Sequence, residues 1–220
     1  MKVCLIINKK KPLANKAILF CKKLFKNTVI VDVSKSRANL KRNSSKKYDY
    51  IFSYLCPYLI PKKFLDNTKI NNLNFHPGPP KYPGFGCYNY AIFNRDKDYS
   101  CTAHIMTKKI DAGPIFQIKK FNLNNNETLE SLMKKAYKHL LDLFKKVLLK
   151  IKNNKFKIQK IAKWNNKKYT RNYLNNKLST LKFEIREKTF FNRFIKATIN
   201  KKMGYPRIII NGYKFIFHEN

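Results

Sequence analysis

Several residue types that particular function classes need are scarce in this sequence. Its 220 residues include six glycines, one tryptophan and 12 acidic residues. No apolar run approaches the length of a membrane-spanning helix, about 18–20 residues. The five cysteines form no Cys-x-x-Cys pair, and neither a Gly-x-Gly-x-x-Gly nor a Gly-Lys-Ser/Thr motif is present, so zinc, dinucleotide and P-loop sites are not predicted. We therefore expect a cytoplasmic protein with no metal and no membrane contact.

The excess of basic residues is large and evenly spread. Lys and Arg number 48 against 12 Asp and Glu, a net charge of +36, and residues 1–120 and 121–220 each hold 24 basic and 6 acidic residues. Lysine supplies 41 of the 48, and asparagine occurs 26 times, a bias typical of AT-rich coding sequences. Two interpretations of this charge stay open: a solvated surface produced by compositional drift, and a surface that binds a polyanion. The first is favoured by the residue types, because lysine is a point charge and only seven arginines can bind phosphate bidentately.

Apolar periodicity predicts strands that alternate with helices over the first two thirds of the chain. Strands are predicted at 2–7, 28–33, 48–55, 69–75, 100–106 and 115–121, and helices after Pro12, at 88–94 and at 127–151. Such alternation is typical of an α/β fold with an open sheet. Beyond it, a strand at 157–162, a helix near 186–198 and a hairpin around Asn211-Gly212 predict a small β-rich appendage. We predict a domain over 1–151 and an accessory region over 152–220.

One segment concentrates the residues that shape rigid loops. Residues 74–86 contain three of the six glycines and four of the nine prolines. Just before them, Asn74 and His76 alternate onto one face of a predicted strand, at the end where open α/β sheets place ligands. Asp111 lies in an Asp-Ala-Gly-Pro turn after a later strand. An amide, an imidazole and a carboxylate that converge there suit acyl transfer to an amine, with His76 as proton acceptor, Asn74 as oxyanion donor and Asp111 as orienting group.

Structural interpretations of the same residues stay open at this point. Asn-x-His is a common sequence, His76 can simply end a strand, and Asp111 can be a turn residue that binds its own backbone. His104 is expected to be a core or rim histidine.

These motifs resemble the formyltransferases that use 10-formyltetrahydrofolate. The resemblance rests on Asn-Phe-His-Pro-Gly-Pro-Pro at residues 74–80, Tyr-Pro-Gly at 82–84, Thr-Ala-His-Ile-Met at 102–106 and Ile-Asp-Ala-Gly-Pro-Ile at 110–115. It covers residues 48–151 well and 1–47 loosely. It implies the formyltransferase fold, an open Rossmann-like sheet, and 10-formyltetrahydrofolate as co-substrate without a metal. It also implies a catalytic triad of Asn74, His76 and Asp111, and a pterin pocket for which Cys56, Tyr58 and Leu59 are the candidates.

The resemblance also bears on the acceptor. The loop Pro-Gly-Pro-Pro-x-Tyr-Pro-Gly is similar to that of enzymes that formylate nucleotide-linked deoxyamino sugars, whereas methionyl-tRNA formyltransferases more often carry Pro-Ser-Leu-Leu-Pro. An amino-sugar nucleotide is therefore the predicted partner, and tRNA is the alternative. Relatives often pair through the C-terminal region, so a homodimer is open too. A basic nucleic-acid-binding module without enzyme activity is a further hypothesis, supported by charge alone.

Overall fold

A computed structural model describes residues 1–158, 161–167, 169–178, 180–182, 188–199 and 205–217. Within these ranges a six-stranded sheet has the order β2-β1-β3-β4-β5-β6. Strands β1 to β4 are parallel, and β5 and β6 are antiparallel to their neighbours. The strands are β1 (Lys2–Ile7), β2 (Asn27–Asp32), β3 (Tyr48–Tyr54), β4 (Thr68–His76), β5 (Asp98–Ile105) and β6 (Ile115–Asn122). The predicted open α/β sheet is confirmed.

Helices cover both faces of this sheet. They are α1 (Ala14–Leu24), α2 (Ala38–Asn43), α3 (Lys62–Asp66), α4 (Cys87–Phe93) and α5 (Leu129–Lys152). The apolar sides of α1 and α5 bury the larger core cluster, and α2 and α3 close a smaller cluster on the opposite face. Both faces of β1 are covered, because Val3 and Leu5 belong to the first cluster and Cys4 and Ile6 to the second. After Lys2, every residue of β1 is apolar and buried, as expected for a parallel strand covered on both faces.

The long helix α5 has a clear start and a single apolar face. The Thr128 side chain accepts from the Ser131 backbone N–H and the Ser131 hydroxyl accepts from the Thr128 N–H, a capping box that satisfies free donors at the helix start. Phe144 lies edge-on to Tyr54 and Phe75, with ring centroids 5.1 Å and 4.9 Å apart. The capping box sets where the helix begins, and the packing of Phe144 places its apolar face on β3 and β4. Among the described residues, no helix is both long and apolar enough to cross a membrane.

The C-terminal region has its own small sheet. Its elements are α6 (Arg171–Tyr173), a π-helical turn (Leu174–Leu178), β7 (Thr180–Lys182), α7 (Lys188–Thr198), β8 (Arg207–Ile210) and β9 (Tyr213–Ile216), with strand order β7-β8-β9. The predicted hairpin is confirmed, and Asn211 and Gly212 take the positive φ values of 49° and 82° that its turn needs. Over 157–162 the described residues form only a single bridge, Ala162 to Ile115, rather than the predicted strand; residues 159, 160, 186 and 187 lie outside the described ranges.

The C-terminal region docks on the first 151 residues. The Asn89 side chain of α4 donates to the carbonyl of Ala197 in α7 at 2.6 Å, and Phe93 meets Phe190 edge-on. Residues 161–167 and Tyr169 contact the start of β6 and the 77–86 loop through backbone hydrogen bonds. The division into two domains at 151 stays a prediction, as does the homodimer.

Candidate active site

The carboxyl end of β4 presents the predicted amide and imidazole on one face. Phe75 points the other way, into the core beside Phe144, so Asn74 and His76 share the opposite side of the strand. In the neighbouring antiparallel strand, His104 lies directly across from Asn74. Pairing β4 with β5 therefore adds a second histidine to the site, which the sequence alone placed in the core or at its rim.

A tight turn after β5 brings the carboxylate back to these groups. Asp111 has φ 41°, in the left-handed region, and the turn closes with Ile105 N–H donating to Pro114 O at 3.0 Å. A Cβ at Gly113 would lie 1.9 Å from Ile105 O, so only glycine lets the turn approach the strand this closely. Gly113 is therefore required for the turn that directs the Asp111 side chain toward Asn74 and His76.

The carboxylate of Asp111 lies at the centre of the cluster. Its Oδ2 is 3.2 Å from His76 Nδ1 and accepts from the Gly84 N–H at 2.8 Å. Its Oδ1 is 3.2 Å from His104 Nε2 and accepts from Asn74 Nδ2 at 3.4 Å. Asn74 Nδ2 also lies 3.0 Å from His104 Nε2. The structure thus brings all three predicted catalytic residues together, with His104 as a fourth member.

Hydrogen-bond partners assign the tautomers. His104 Nδ1 lies 2.8 Å from Ile105 O, and because a carbonyl only accepts, Nδ1 carries the proton. In neutral His76 the Nδ1–H donates to Asp111, which leaves the lone pair on Nε2. His76 Nε2 lies 3.3 Å from Tyr82 O, a contact that becomes a hydrogen bond only when Nε2 gains a proton. The backbone is therefore placed to stabilise the ring after it accepts one.

Burial and charge separate the protonation states of the two partners. His76 is 5% exposed and Asp111 is 8% exposed. Burial lowers the pKa of His76 below 6.5, although the carboxylate of Asp111 opposes this. Burial alone raises the pKa of Asp111, but His76, His104 and the Gly84 N–H outweigh it and lower that pKa to about 2. A neutral imidazole beside an ionised carboxylate is the state that a general base needs near neutral pH.

The loop of residues 77–86 surrounds the far side of His76. A Cβ at Gly78 would lie 2.6 Å from His76 Nε2 and 2.8 Å from Cys87 Cβ, so the ring uses space that a side chain would fill. Burial raises the pKa of the Cys87 thiol to about 12, which excludes a thiolate at neutral pH. The loop is further fixed by the Tyr82 hydroxyl, which donates to Asp96 at 2.8 Å.

One further residue borders the cluster. Trp164, the single tryptophan, lies beyond α5, with its ring centroid 5.7 Å from that of His76 and 4.9 Å from that of His104. Both contacts are edge-to-face. Nothing in the sequence marks this residue except that it is the sole tryptophan.

The predicted pterin residues lie where β3 ends, next to β4. Cys56 and Tyr58 are half-buried and pack against the smaller core cluster, which includes Met106 just before the Asp111 turn, while Leu59 is 46% exposed. Burial raises the pKa of the Cys56 thiol to about 11. The three residues follow the last residue of β3, Tyr54, which pairs with Phe75 between Asn74 and His76. Their role in folate binding stays a prediction.

Comparisons with known proteins find formyltransferases similar to this chain in sequence and in fold. A methionyl-tRNA formyltransferase of Mycoplasmopsis pulmonis is 37% identical over 87 residues, 39% of this chain and 30% of that protein. A sugar N-formyltransferase from a Shewanella species superposes with a TM-score of 0.79 at 19% identity, covering 100% of this chain and 97% of that one. WlaRD, a sugar 3N-formyl transferase solved in the presence of dTDP and 5-N-formyl-THF, has a TM-score of 0.75 at 21% identity, covering 97% and 84%.

The similarities to solved structures, to curated relatives and to the family model support different conclusions. At such identities the two solved structures show the shared fold. The matched segments span 30%, 21% and 36% of the first three curated relatives' own lengths. The formyl transferase family model, in contrast, matches residues 2–148, well over half of the chain. This chain therefore belongs to the formyl transferase family.

Proposed function

We propose that this chain transfers a formyl group from 10-formyltetrahydrofolate to the primary amine of a nucleotide-linked deoxyamino sugar. The observation that carries the proposal is the convergence of Asn74, His76 and His104 on the buried carboxylate of Asp111. An amide donor, a neutral imidazole and an orienting carboxylate are the groups that acyl transfer to an amine uses. The fold shared with sugar N-formyltransferases supports the sugar as acceptor.

Each residue of the cluster has a definite task in this proposal. The folate supplies the formyl carbon, which gains a bond to the amine nitrogen as its bond to N10 breaks. His76 Nε2 takes the proton that the amine loses and passes it to the leaving nitrogen. The weaker of the two contacts of Asn74 Nδ2, 3.4 Å to Asp111, leaves that hydrogen available to the developing oxyanion. Asp111 holds His76 in the tautomer with a free Nε2.

The residues on this face suit a pterin. Asn72 lies two positions before Asn74 on the same face of β4, and its side-chain oxygen is buried without a hydrogen-bond partner among the described residues. A pterin edge carries N–H donors, which would satisfy such an acceptor. Apolar Met106 and Ile60 line the same cluster. Together with Cys56, Tyr58 and Leu59, these residues would hold the ring.

A single-turnover assay tests the proposal. The protein is mixed with 10-formyltetrahydrofolate and a panel of amino-sugar nucleotides, and tetrahydrofolate release is followed. We expect His76→Gln to lower the rate by about 10²- to 10⁴-fold and Asn74→Ala by about 10²- to 10³-fold. His139→Gln is the matched control, because His139 lies in α5 and stacks on Phe121 of β6, away from the cluster. Full activity in His76→Gln would refute the role given to this histidine.

Methionyl-tRNA is the second candidate acceptor. It is favoured by the curated relative and by the net charge of +36. Formylation of charged initiator tRNA in the same assay, with no activity on the sugar panel, would replace the first candidate by the second. Binding of tRNA alone would not, because a strongly basic surface binds any polyphosphate at low salt.

A further inference from the structure

The sole tryptophan forms one wall of the histidine pair. The indole of Trp164 is half-buried and lies edge-to-face on the rings of both His76 and His104, at interplanar angles of 75° and 86°. It belongs to the segment that follows α5. One side chain thus contacts both imidazoles that bind the Asp111 carboxylate.

The same indole also holds the turn that carries Asp111. Its Nε1–H donates to the carbonyl of Gly113 at 2.7 Å, two residues after Asp111. Gly113 is pressed against Ile105 O, the carbonyl that accepts from His104 Nδ1. Movement of the turn would therefore displace the carboxylate and the partner of His104 together. The hydrogen bond of Trp164 opposes that movement.

Backbone bonds on both sides fix the position of Trp164. On one side, Ile161 N–H donates to Ile115 O at 3.0 Å, at the start of β6. On the other, the Asn165 backbone N–H donates to Pro80 O at 2.9 Å, and its side chain donates to Lys81 O at 3.0 Å. The indole is thus carried by a segment attached to the Asp111 side and to the 77–86 loop. Its location is a built feature of the fold.

We propose that Trp164 is a positioning residue, whose ring holds His76 and His104 in the orientation that Asp111 requires and whose N–H holds the Asp111 turn. The part that concerns rates rests on the proposed formyl transfer, whereas the part that concerns ring orientation and solvent exclusion does not. The ionisable groups that face His76 are Asp111 from the turn, His104 from β5 and the thiol of Cys87 from α4. None of them is removed when Trp164 is changed.

Emission of the sole tryptophan tests the contact without any substrate. A protonated imidazole quenches a neighbouring indole, so the emission of the full-length protein should fall as pH decreases through the titration of His76. Because burial lowers the pKa of His76, the midpoint should lie below 6.5. His76→Gln should remove the part of this step that comes from His76, and His139→Gln should keep the whole step. Because the indole also contacts His104, His104→Gln is measured beside it. An emission that does not respond to pH, or a step unchanged in both His76→Gln and His104→Gln, would overturn the proposal.

Substitutions of Trp164 test its function. In Trp164→Ala water reaches the rings, so the His76 midpoint, followed by NMR of the histidine rings, should rise toward 6.5, and kcat should fall by about 10- to 100-fold with little change in KM. Trp164→Phe keeps a ring but loses the N–H, so the midpoint should stay and kcat should fall by only about 2- to 10-fold. Phe156 also follows α5, and its ring packs on Phe116 of β6. Phe156→Leu disturbs that contact and should change neither the His76 midpoint nor kcat.

The outcomes separate the inference from the proposed function. A folded Trp164→Ala protein with unchanged midpoint and kcat would overturn the positioning role, and so would a loss of kcat as large in Phe156→Leu. If Trp164→Ala does not fold, the result for Trp164→Phe decides, because full kcat in that variant contradicts the role of the N–H. A wild-type protein without formyl transfer would refute the proposed function, and the two pH titrations would still decide whether Trp164 positions the histidines.

Discussion

At the scale of single residues, the buried charge of Asp111 organises its neighbours. An unpaired carboxylate at 8% exposure would be costly, but this one has donors from Gly84, Asn74 and His76. Its charge favours a proton on the near nitrogen of His76, and burial disfavours a second proton on the far nitrogen. The carboxylate therefore selects both the tautomer and the charge of the base. Removing it should change both.

Asp111→Asn is expected to lower kcat by about 10²- to 10⁴-fold, because the amide no longer selects the required tautomer. The base must be neutral, so kcat/KM rises with pH through the pKa of His76. Asp111 raises that pKa against burial, so its neutralisation should move the acid limb to lower pH. The pH profile of kcat/KM measures this, with Asp142→Asn as control, a surface carboxylate paired with Lys119. An acid limb that moves to higher pH would contradict the assignment.

How far the site can be predicted differs from residue to residue. Alternation on one strand places Asn74 and His76 together, and the Asp-Ala-Gly-Pro turn marks Asp111. His104 is hidden in an apolar run, and only the pairing of β4 with β5 sets it opposite Asn74. Trp164 reaches the site through contacts between segments distant in sequence, which no local pattern encodes. Local sequence patterns therefore predict the three motif residues, and they miss His104 and Trp164, which reach the site through strand pairing and tertiary contacts.

At the scale of elements, the 77–86 loop is held from outside by the segment after α5. Tyr169 N–H donates to Pro83 O, and Phe85 N–H donates to Tyr169 O at 2.8 Å. Gly84 lies between these bonds and donates its own N–H to Asp111. Its φ is +92°, and a Cβ there would lie 2.3 Å from Tyr169 O. The loop and this segment form one unit that accepts only glycine at this position.

Gly84→Ala should therefore lower the free energy of unfolding by about 2–5 kcal/mol, from the positive φ and the clash together. Gly212→Ala is the matched control, because its φ is +82° but nothing lies within 4 Å of the added methyl group. It should cost only the strain of about 1–2 kcal/mol. Denaturant unfolding of both variants compares the losses. Equal losses would show that the contact with Tyr169 does not restrict the loop.

The C-terminal elements show which patterns suffice at this scale. The Asn211-Gly212 hairpin was predicted because its turn and its two strands are local in sequence. Of the strand predicted over 157–162, the described residues form a single bridge, from Ala162 to Ile115 at the start of β6. Because β6 lies at the edge of the six-stranded sheet, a β-prone sequence beside an edge strand is not by itself enough to form a strand.

At the scale of the whole molecule, the charge of +36 acts on the fold as a unit. Twelve carboxylates cannot neutralise 48 basic side chains, and the excess is the same, +18, in residues 1–120 and in 121–220. Several acidic groups are committed locally, as in the exposed pairs Lys62–Asp66 and Lys134–Glu130. Such surface pairs contribute little, about 0–1 kcal/mol each. The remaining lysines repel one another, and this repulsion destabilises the compact state.

Added salt should therefore stabilise this protein. Raising NaCl from about 0.01 to about 0.1 M shortens the screening length from about 30 to about 10 Å, which weakens repulsion between distant lysines. We expect Tm to rise with NaCl, by about 2–4 °C for each kcal/mol regained in a chain of this size. Sodium tripolyphosphate at matched ionic strength separates the two explanations of the charge. The comparison is made at about 0.1 M NaCl, because at lower salt a diffuse basic surface also binds polyphosphate. If composition alone produced the charge, the two salts should then give the same Tm at the same ionic strength. A Tm gain at tripolyphosphate concentrations too low to alter the ionic strength would instead favour a built polyanion site, because binding to the folded state stabilises it by mass action.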